Sequence, residues 1–187
     1  MTIWTACLDA CVLVPVGLCD SLLSLASTGI YRPIWSDQIL HEVRSHVSGV
    51  PPDEIEDRLA AMNEAFPDAL VSDWKRMLSS VPPGIDGKDR HVVAAALRGQ
   101  ANVIVTANLA DFPAQELESL NLLVQGPDDF LVTQFQVDPL LAARGIRQQL
   151  ARLRNPPRTA AQHIAKLQAS LPNFADVLDE YRLEIEP

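Results

Sequence analysis

Three aspartates stand where one acidic pocket could be assembled from them. Asp9 ends the apolar run TIWTACLDACV, Asp111 follows the β-branched run NVIVT, and Asp89 opens the helical pattern DGKDRHVVAAAL. Carboxylates a few ångströms apart raise one another's pKa unless a cation joins them. Oxygen-only ligands select a hard divalent ion, Mg2+ or Mn2+, over zinc. Such an ion keeps several waters, bridges to phosphate and makes a nucleophilic water available near neutral pH. The chemistry expected is phosphodiester hydrolysis, with Asp9, Asp89 and Asp111 as metal ligands. Glu42, in ILHEV, would be a ligand through water or a base orienting the attacking water. Thr106 and Asn108 could hydrogen-bond these waters or carboxylates.

The elements that must position these groups are legible in outline. On a wheel stepping about 100° per residue, Val92, Val93, Ala96 and Leu97 fall within roughly 80° of Asp89. The acid thus lies on an apolar face, where burial is costly without a partner. His91 points roughly 200° away on the same wheel and is expected outside the pocket. Asp86 can cap a helix starting at Gly87 or Lys88, or stand behind the pocket as an additional acid; the two roles can coexist. A two-residue turn around Gly99 leads into NVIVT, a short strand suited to a sheet covered on both faces. Asn108 and Asp111 follow its C-terminal end, where open α/β sheets place ligand sites.

Earlier in the chain, residues 3–8 read as the first strand, and LCDSLLSLASTG as a helix ending at Gly29. YRPIW reads as a strand, and Ser36 caps a helix running from Asp37 to about Val47. Glu42 lies on the flank of that helix's Ile39, Leu40, Val43, Val47 stripe. EIEDRLAAMNEAF, DWKRMLSS and PAQELESL are further helices and NLLVQ a last strand. PDDFLVTQF is a helix entered through Asp128 or Asp129. From Pro139 the chain reads as two or three helices broken by NPP and LPN.

The four segments LDACVL, ILHEV, DGKDRHVVAAAL and IVTANLADF, the last carrying a T-x-N-x-x-D-F ending, resemble those of the PIN-domain ribonucleases, especially the VapC-type toxins of bacterial toxin–antitoxin pairs. The similarity covers residues 3 to 135, in the family's order. It implies a three-layer α/β/α fold with a short, mostly parallel central sheet, as a nuclease domain over residues 1–137. Residues 138–187 are then a helical C-terminal extension. It further implies an endoribonuclease that cuts single-stranded or structured RNA, and a cognate antitoxin as partner. A homodimer is compatible with the sequence. Lys88 and Gly87 depart from the expected pattern, an acid and a proline. The lysine could bind phosphate or lower the pocket's charge, which leaves the number of metals open.

Composition bounds this reading. With 187 residues, 48% of them apolar, the chain can bury a sizeable core. No apolar run is long enough to span a membrane, and the N-terminus reads as a strand, so a cytoplasmic location is expected. Cys7, Cys11 and Cys19 are odd in number and lack CxxC spacing, as reduced buried thiols would. The net charge of −9 is unevenly spread: residues 1–138 carry −11 and residues 139–187 carry +2. Arg144, Arg147, Arg154 and Arg158 either dock the extension on the acidic core or hold RNA phosphates.

Other readings fit less well. A dehalogenase-like phosphotransferase wants D-x-D after the first strand, and Ala10 and Cys11 follow Asp9. A receiver domain wants a late lysine, and none occurs between Lys88 and Lys166. A DNA nuclease of the same fold would bring a long clamp insertion. A non-catalytic PIN-like module would use its acids to hold a partner's arginines.

Overall fold

The computed structural model describes residues 3–154 and 156–187, so Asn155 of the expected NPP break lies outside the described residues. In chain order the elements are β1 (Trp4–Leu8), α1 (Ala10–Leu13), α2 (Val16–Ala26), β2 (Tyr31–Ser36), α3 (Asp37–His46), α4 (Pro52–Ala65), β3 (Leu70–Val71), a 3-10 helix (Trp74–Ser80), α5 (Arg90–Arg98), β4 (Val103–Val105), a 3-10 turn (Leu109–Asp111), α6 (Ala114–Glu118), β5 (Leu123–Gln125), α7 (Pro127–Val137), α8 (Pro139–Arg152), α9 (Ala160–Leu167), α10 (Pro172–Glu180) and α11 (Arg182–Ile185). Packing groups them into two compact units, residues 1–16 with 32–126 and residues 17–31 with 127–187.

The first unit holds a five-stranded sheet in the order β3-β2-β1-β4-β5, flanked by helices as the α/β/α expectation required. The pairs β1/β4, β2/β3 and β4/β5 are parallel. Strand β4 has all three side chains fully buried, which is why its sequence shows no polar alternation. The order reverses at β1 and β4, so the crevice between their C-terminal ends is a topological switch point.

Several local expectations hold. Ser36 accepts the amide of Ile39 at 3.2 Å and starts α3 as a side-chain cap should. Gly29 takes φ +82° after α2. Others need correcting. Helix α5 begins at Arg90, after the expected Gly87 or Lys88, because the Asp86 carbonyl accepts both Asp89 N and Arg90 N and winds residues 86–89 into turns. At the far end the turn around Gly99 puts Gln100 in the left-handed conformation, at φ +54°. What requires glycine at 99 is space, since a Cβ there would stand 2.3 Å from Ile34 Cδ1. DWKRMLSS winds as a 3-10 helix, and the two-residue edge strand β3 was too short to announce itself.

The second unit is helical. Its C-terminal part comprises residues 127–187, in which α7 packs against α8 and α10. The chain breaks at LPN as expected, with α9 ending at Leu167 and Pro172 starting α10, but among the described residues four helices run from Pro139 instead of two or three, because the short α11 follows Tyr181. Asp128 does not cap its own helix. Its carboxylate accepts Asn173 N at 3.1 Å and Phe174 N at 2.8 Å, the amides that follow a proline without an N–H. Phe135 packs edge-on against both Phe174 and Tyr181.

Gly145 in α8 packs too closely for a side chain: a Cβ there would lie 2.7 Å from Thr28 Cγ2 and 2.8 Å from Ser24 O. Gly145→Ala is therefore expected to destabilise the protein by about 1–3 kcal/mol despite alanine's better helix propensity. A thermal melt checks this, and an unchanged or raised Tm would contradict the close packing.

Candidate active site

Strand register explains the first contact of the site. Leu8 pairs with Val105, so the next residues, Asp9 and Thr106, leave adjacent strand ends side by side. The Thr106 hydroxyl, fully buried, donates to Asp9 Oδ2 at 2.7 Å. The backbone N–H of Ala10 donates to Asp9 Oδ1 at 2.7 Å, making Asp9 the cap of α1. The carboxylate is 7% exposed and held on both oxygens before any ligand arrives. The amide of Asn108 donates to Thr106 Oγ1 at 3.0 Å, which ties the loop after β4 to the same point.

Asp9, Cys11, Glu42, Lys88, Asp89 and Asn108 line one cavity of about 440 Å3. It joins the ends of β1 and β4 to α3 and the start of α5. Asp89 sits at the N-cap position of α5 without capping it, and its Oδ2 is buried with no hydrogen-bond partner. Burial raises its pKa; the Lys88 ammonium lowers it in part, and Asp111, Asp9 and Asp86 raise it again. Lys88 Nζ lies 3.2 Å from Asp111 Oδ2 and 3.8 Å from Asp89 Oδ2. The lysine lowers the pocket's charge, one of the two roles open to it. Its own pKa is raised, chiefly by the hydrogen bond to Asp111.

The expected residues are thus unequally placed. Asp9, Asp89, Glu42 and Asn108 share the cavity wall, and Thr106 lies beneath Asp9. Asp111, on the 3-10 turn, is reached through Lys88 and is not part of that wall. Asp86 is exposed and accepts Lys88 N at 3.0 Å, a turn contact ahead of α5 and not a cap of it. Arg144, Arg147 and Arg154 are exposed and Arg158 half-buried, and none makes an ion pair among the described residues.

Two groups of the site escaped the sequence reading. Cys11, expected as an inert buried thiol, points at the carboxylate: Sγ donates to Asp9 Oδ2 at 3.1 Å, and Ala107 N donates to Sγ at 3.2 Å. Burial and the Asp9 charge push this thiol up to about 11, so it remains a proton donor at neutral pH. Its place two residues after a strand-end acid was the available signal. His91 stays off the cavity wall as the wheel implied, yet its Nε2 lies 2.7 Å from Glu42 Oε1. A wheel compares residues of one helix and says nothing of a side chain arriving from another.

The donor set suits a hard cation. Asp9, Asp89 and Glu42 offer carboxylate oxygens to the cavity, and Asp89 Oδ2 has no competing hydrogen bond. Among the described residues no three His, Cys, Asp or Glu side chains are gathered as a ready cage. A hydrated Mg2+ takes only one or two protein carboxylates directly, which the Asp9 and Asp89 walls of this cavity can supply.

Fold and site together define a PIN domain: residues 5–110 match that family's model, and the chain belongs to the family. Residues 127–180 match a second model, the VapC50 C-terminal domain, so the helical part has its own counterpart there. A curated relative from Mycobacterium tuberculosis (strain ATCC 25618 / H37Rv), named "Putative ribonuclease VapC50", is 38% identical over 88 residues, 47% of this chain. The chain spans 52% of that relative's length in the match. No solved structure matches the chain. Among the described residues no helix is long and apolar enough to cross a membrane.

Proposed function

We propose that this protein is a cytoplasmic, Mg2+- or Mn2+-dependent endoribonuclease and the toxin of a toxin–antitoxin pair. The observation that carries the reading is the buried Asp89 Oδ2, which makes no hydrogen bond and has the exposed Lys88 ammonium no nearer than 3.8 Å, on one cavity wall with Asp9 and Glu42. An ionised oxygen is costly to bury without a cation or donor. The ribonuclease in the relative's name agrees with that chemistry.

A divalent cation, when bound, supplies charge for the phosphate oxygens and lowers the pKa of water. Asp9 and Asp89 would hold it, with Asp111 next to them through Lys88. Thr106, Cys11 and the Ala10 amide keep Asp9 from rotating. Glu42 would accept the proton of the attacking water. The water oxygen bonds to phosphorus, one P–O ester bond breaks, and the departing ribose oxygen takes a proton. Attack by water leaves linear monophosphate ends, whereas attack by the ribose 2′-hydroxyl would leave a 2′,3′-cyclic phosphate. Sequencing the ends made from total RNA tests the scheme: linear ends are expected, and cyclic ends would overturn it.

A nuclease acting on its own cell's RNA needs restraint, and a cognate antitoxin is the proposed partner. An arginine from it could enter among the acids, as Lys88 already does from within the chain. The same occupancy favours the second reading, in which the cavity only holds a partner's arginine and cleaves nothing.

Arg147 and Arg154 are exposed and form no ion pair with an acid among the described residues, so we assign them to RNA phosphates. Changing both to glutamine in a catalytically dead background should flatten the salt dependence of RNA binding by about one unit or more, at roughly 0.7 per lost single-strand contact. An unchanged slope with a lowered Tm would show that they serve folding.

A further inference from the structure

Among the described residues, Glu42 is the wall acid whose head is gripped by a side chain from another helix. It stands on α3, and His91 Nε2, on α5, lies 2.7 Å from its Oε1. His91 is 8% exposed, and its other nitrogen, Nδ1, is buried with no partner. The tautomer with its hydrogen on Nε2 satisfies the contact, whereas a hydrogen on Nδ1 would be a buried donor without an acceptor. The imidazole is itself backed by Trp74, whose ring stands at 6.1 Å and 64° to it. Trp74 Nε1 donates at 2.6 Å to Asp37 Oδ1, and Asp37 is the first residue of the helix that carries Glu42. Arg90, the neighbour of His91, donates to the carbonyls of Leu78, Val81 and Pro82 and pins the Trp74 segment to α5.

These contacts close a ring from Asp37 through Trp74 and His91 to Glu42 and back along α3. A glutamate on the flank of a helix otherwise samples several rotamers, and fixing one costs conformational entropy. With Oε1 taken by the imidazole, Oε2 is the oxygen left for the cavity. We propose that His91 is a positioning residue that locks the Glu42 carboxylate, and that Glu42 so held orients the attacking water and does not ligate the metal. This rests on the nuclease reading given above and, of the two roles the sequence left to Glu42, keeps the base and sets aside the ligand.

The test compares His91→Leu, which removes the donor, with His91→Gln, whose amide nitrogen reaches about as far as Nε2. Cleavage of a short RNA and Mn2+ affinity by calorimetry are measured on the full chain. His91→Leu is expected to lower kcat by about 10–100-fold while KM and Mn2+ affinity stay within roughly twofold, and His91→Gln to recover most of the loss. Should His91→Leu fail to fold, Trp74→Phe, which keeps the ring but drops the bond to Asp37, is expected to lower kcat in the same direction with Mn2+ affinity unchanged. Wild-type kcat in His91→Leu, or a Gln variant as impaired as the Leu variant, would overturn the role of His91. Mn2+ affinity falling in step with kcat would overturn the assignment of Glu42 by making it a ligand. Wild-type protein that cleaves no RNA with any divalent ion would sink the nuclease reading itself, an outcome distinct from those three.

Discussion

Asp89→Asn is expected to abolish RNA cleavage, by about 10²–10³-fold or more, while making the metal-free protein more stable. The substitution keeps the side chain's shape and removes the charge that burial and the neighbouring Asp111, Asp9 and Asp86 oppose. The sign follows from linkage. A carboxyl whose pKa is raised on folding is penalised once it ionises, so the penalty is present at neutral pH and relieved as acid protonates it. The asparagine variant should therefore melt higher than wild type at neutral pH, with the gap closing as the pH falls below the raised Asp89 pKa. Added Mn2+ should raise the wild-type Tm more than the variant's, since only the wild type keeps the full ligand set. Asp9→Asn should lose cleavage to a similar degree while retaining the fold, because an asparagine can still cap α1. Wild-type rates in both variants would refute the assignment of this pocket.

Thr106→Val should be the next most damaging change, lowering kcat by about 10–100-fold with little loss of stability. The side chain is fully buried and its hydroxyl serves three partners, donating to Asp9 Oδ2, accepting Asn108 N and lying 3.3 Å from Cys11 Sγ. Valine fills the same space and provides none of these contacts. Asp9 would keep its contacts from Ala10 N and Cys11 Sγ, so the loss is one of orientation and not of fold. Thr106→Ser restores the hydroxyl and is expected to work nearly as well as wild type. Kinetics of the three proteins decide the point, and a valine variant as active as the serine variant would remove Thr106 from the site.

How far the sequence revealed this site depended on whether a residue's role lay within its own element. Asp9 and Thr106 were found because apolar runs end at them, and parallel register then brings adjacent strand ends together. Ser36 and α3 were legible from a cap followed by an apolar stripe. The short, mostly parallel sheet followed from the family resemblance more than from any single strand, since β4 has three residues and β3 two. The contact between His91 and Glu42 was hidden because two helices must pack before it exists. Asp128 was recognised as a capping residue, but the helix it caps begins at Pro172, far along the chain. The start of α5 was misjudged because competing turns at 86–89 depend on which carbonyl collects the free amides. Cys11 was read by residue type, as a buried thiol, when its position after Asp9 was the better guide.

The central claim is that the cavity between the ends of β1 and β4 cleaves RNA through its acids and a divalent ion. The most direct measurement incubates purified protein with total RNA in Mg2+ or Mn2+, then in excess chelator, then with the ion restored, beside Asp9→Asn throughout. Cleavage by wild type with the ion, none in chelator, recovery on restoring the ion and none at any stage by Asp9→Asn is the result this account predicts. Cleavage that persists in chelator, or that Asp9→Asn retains at the wild-type rate, would contradict it.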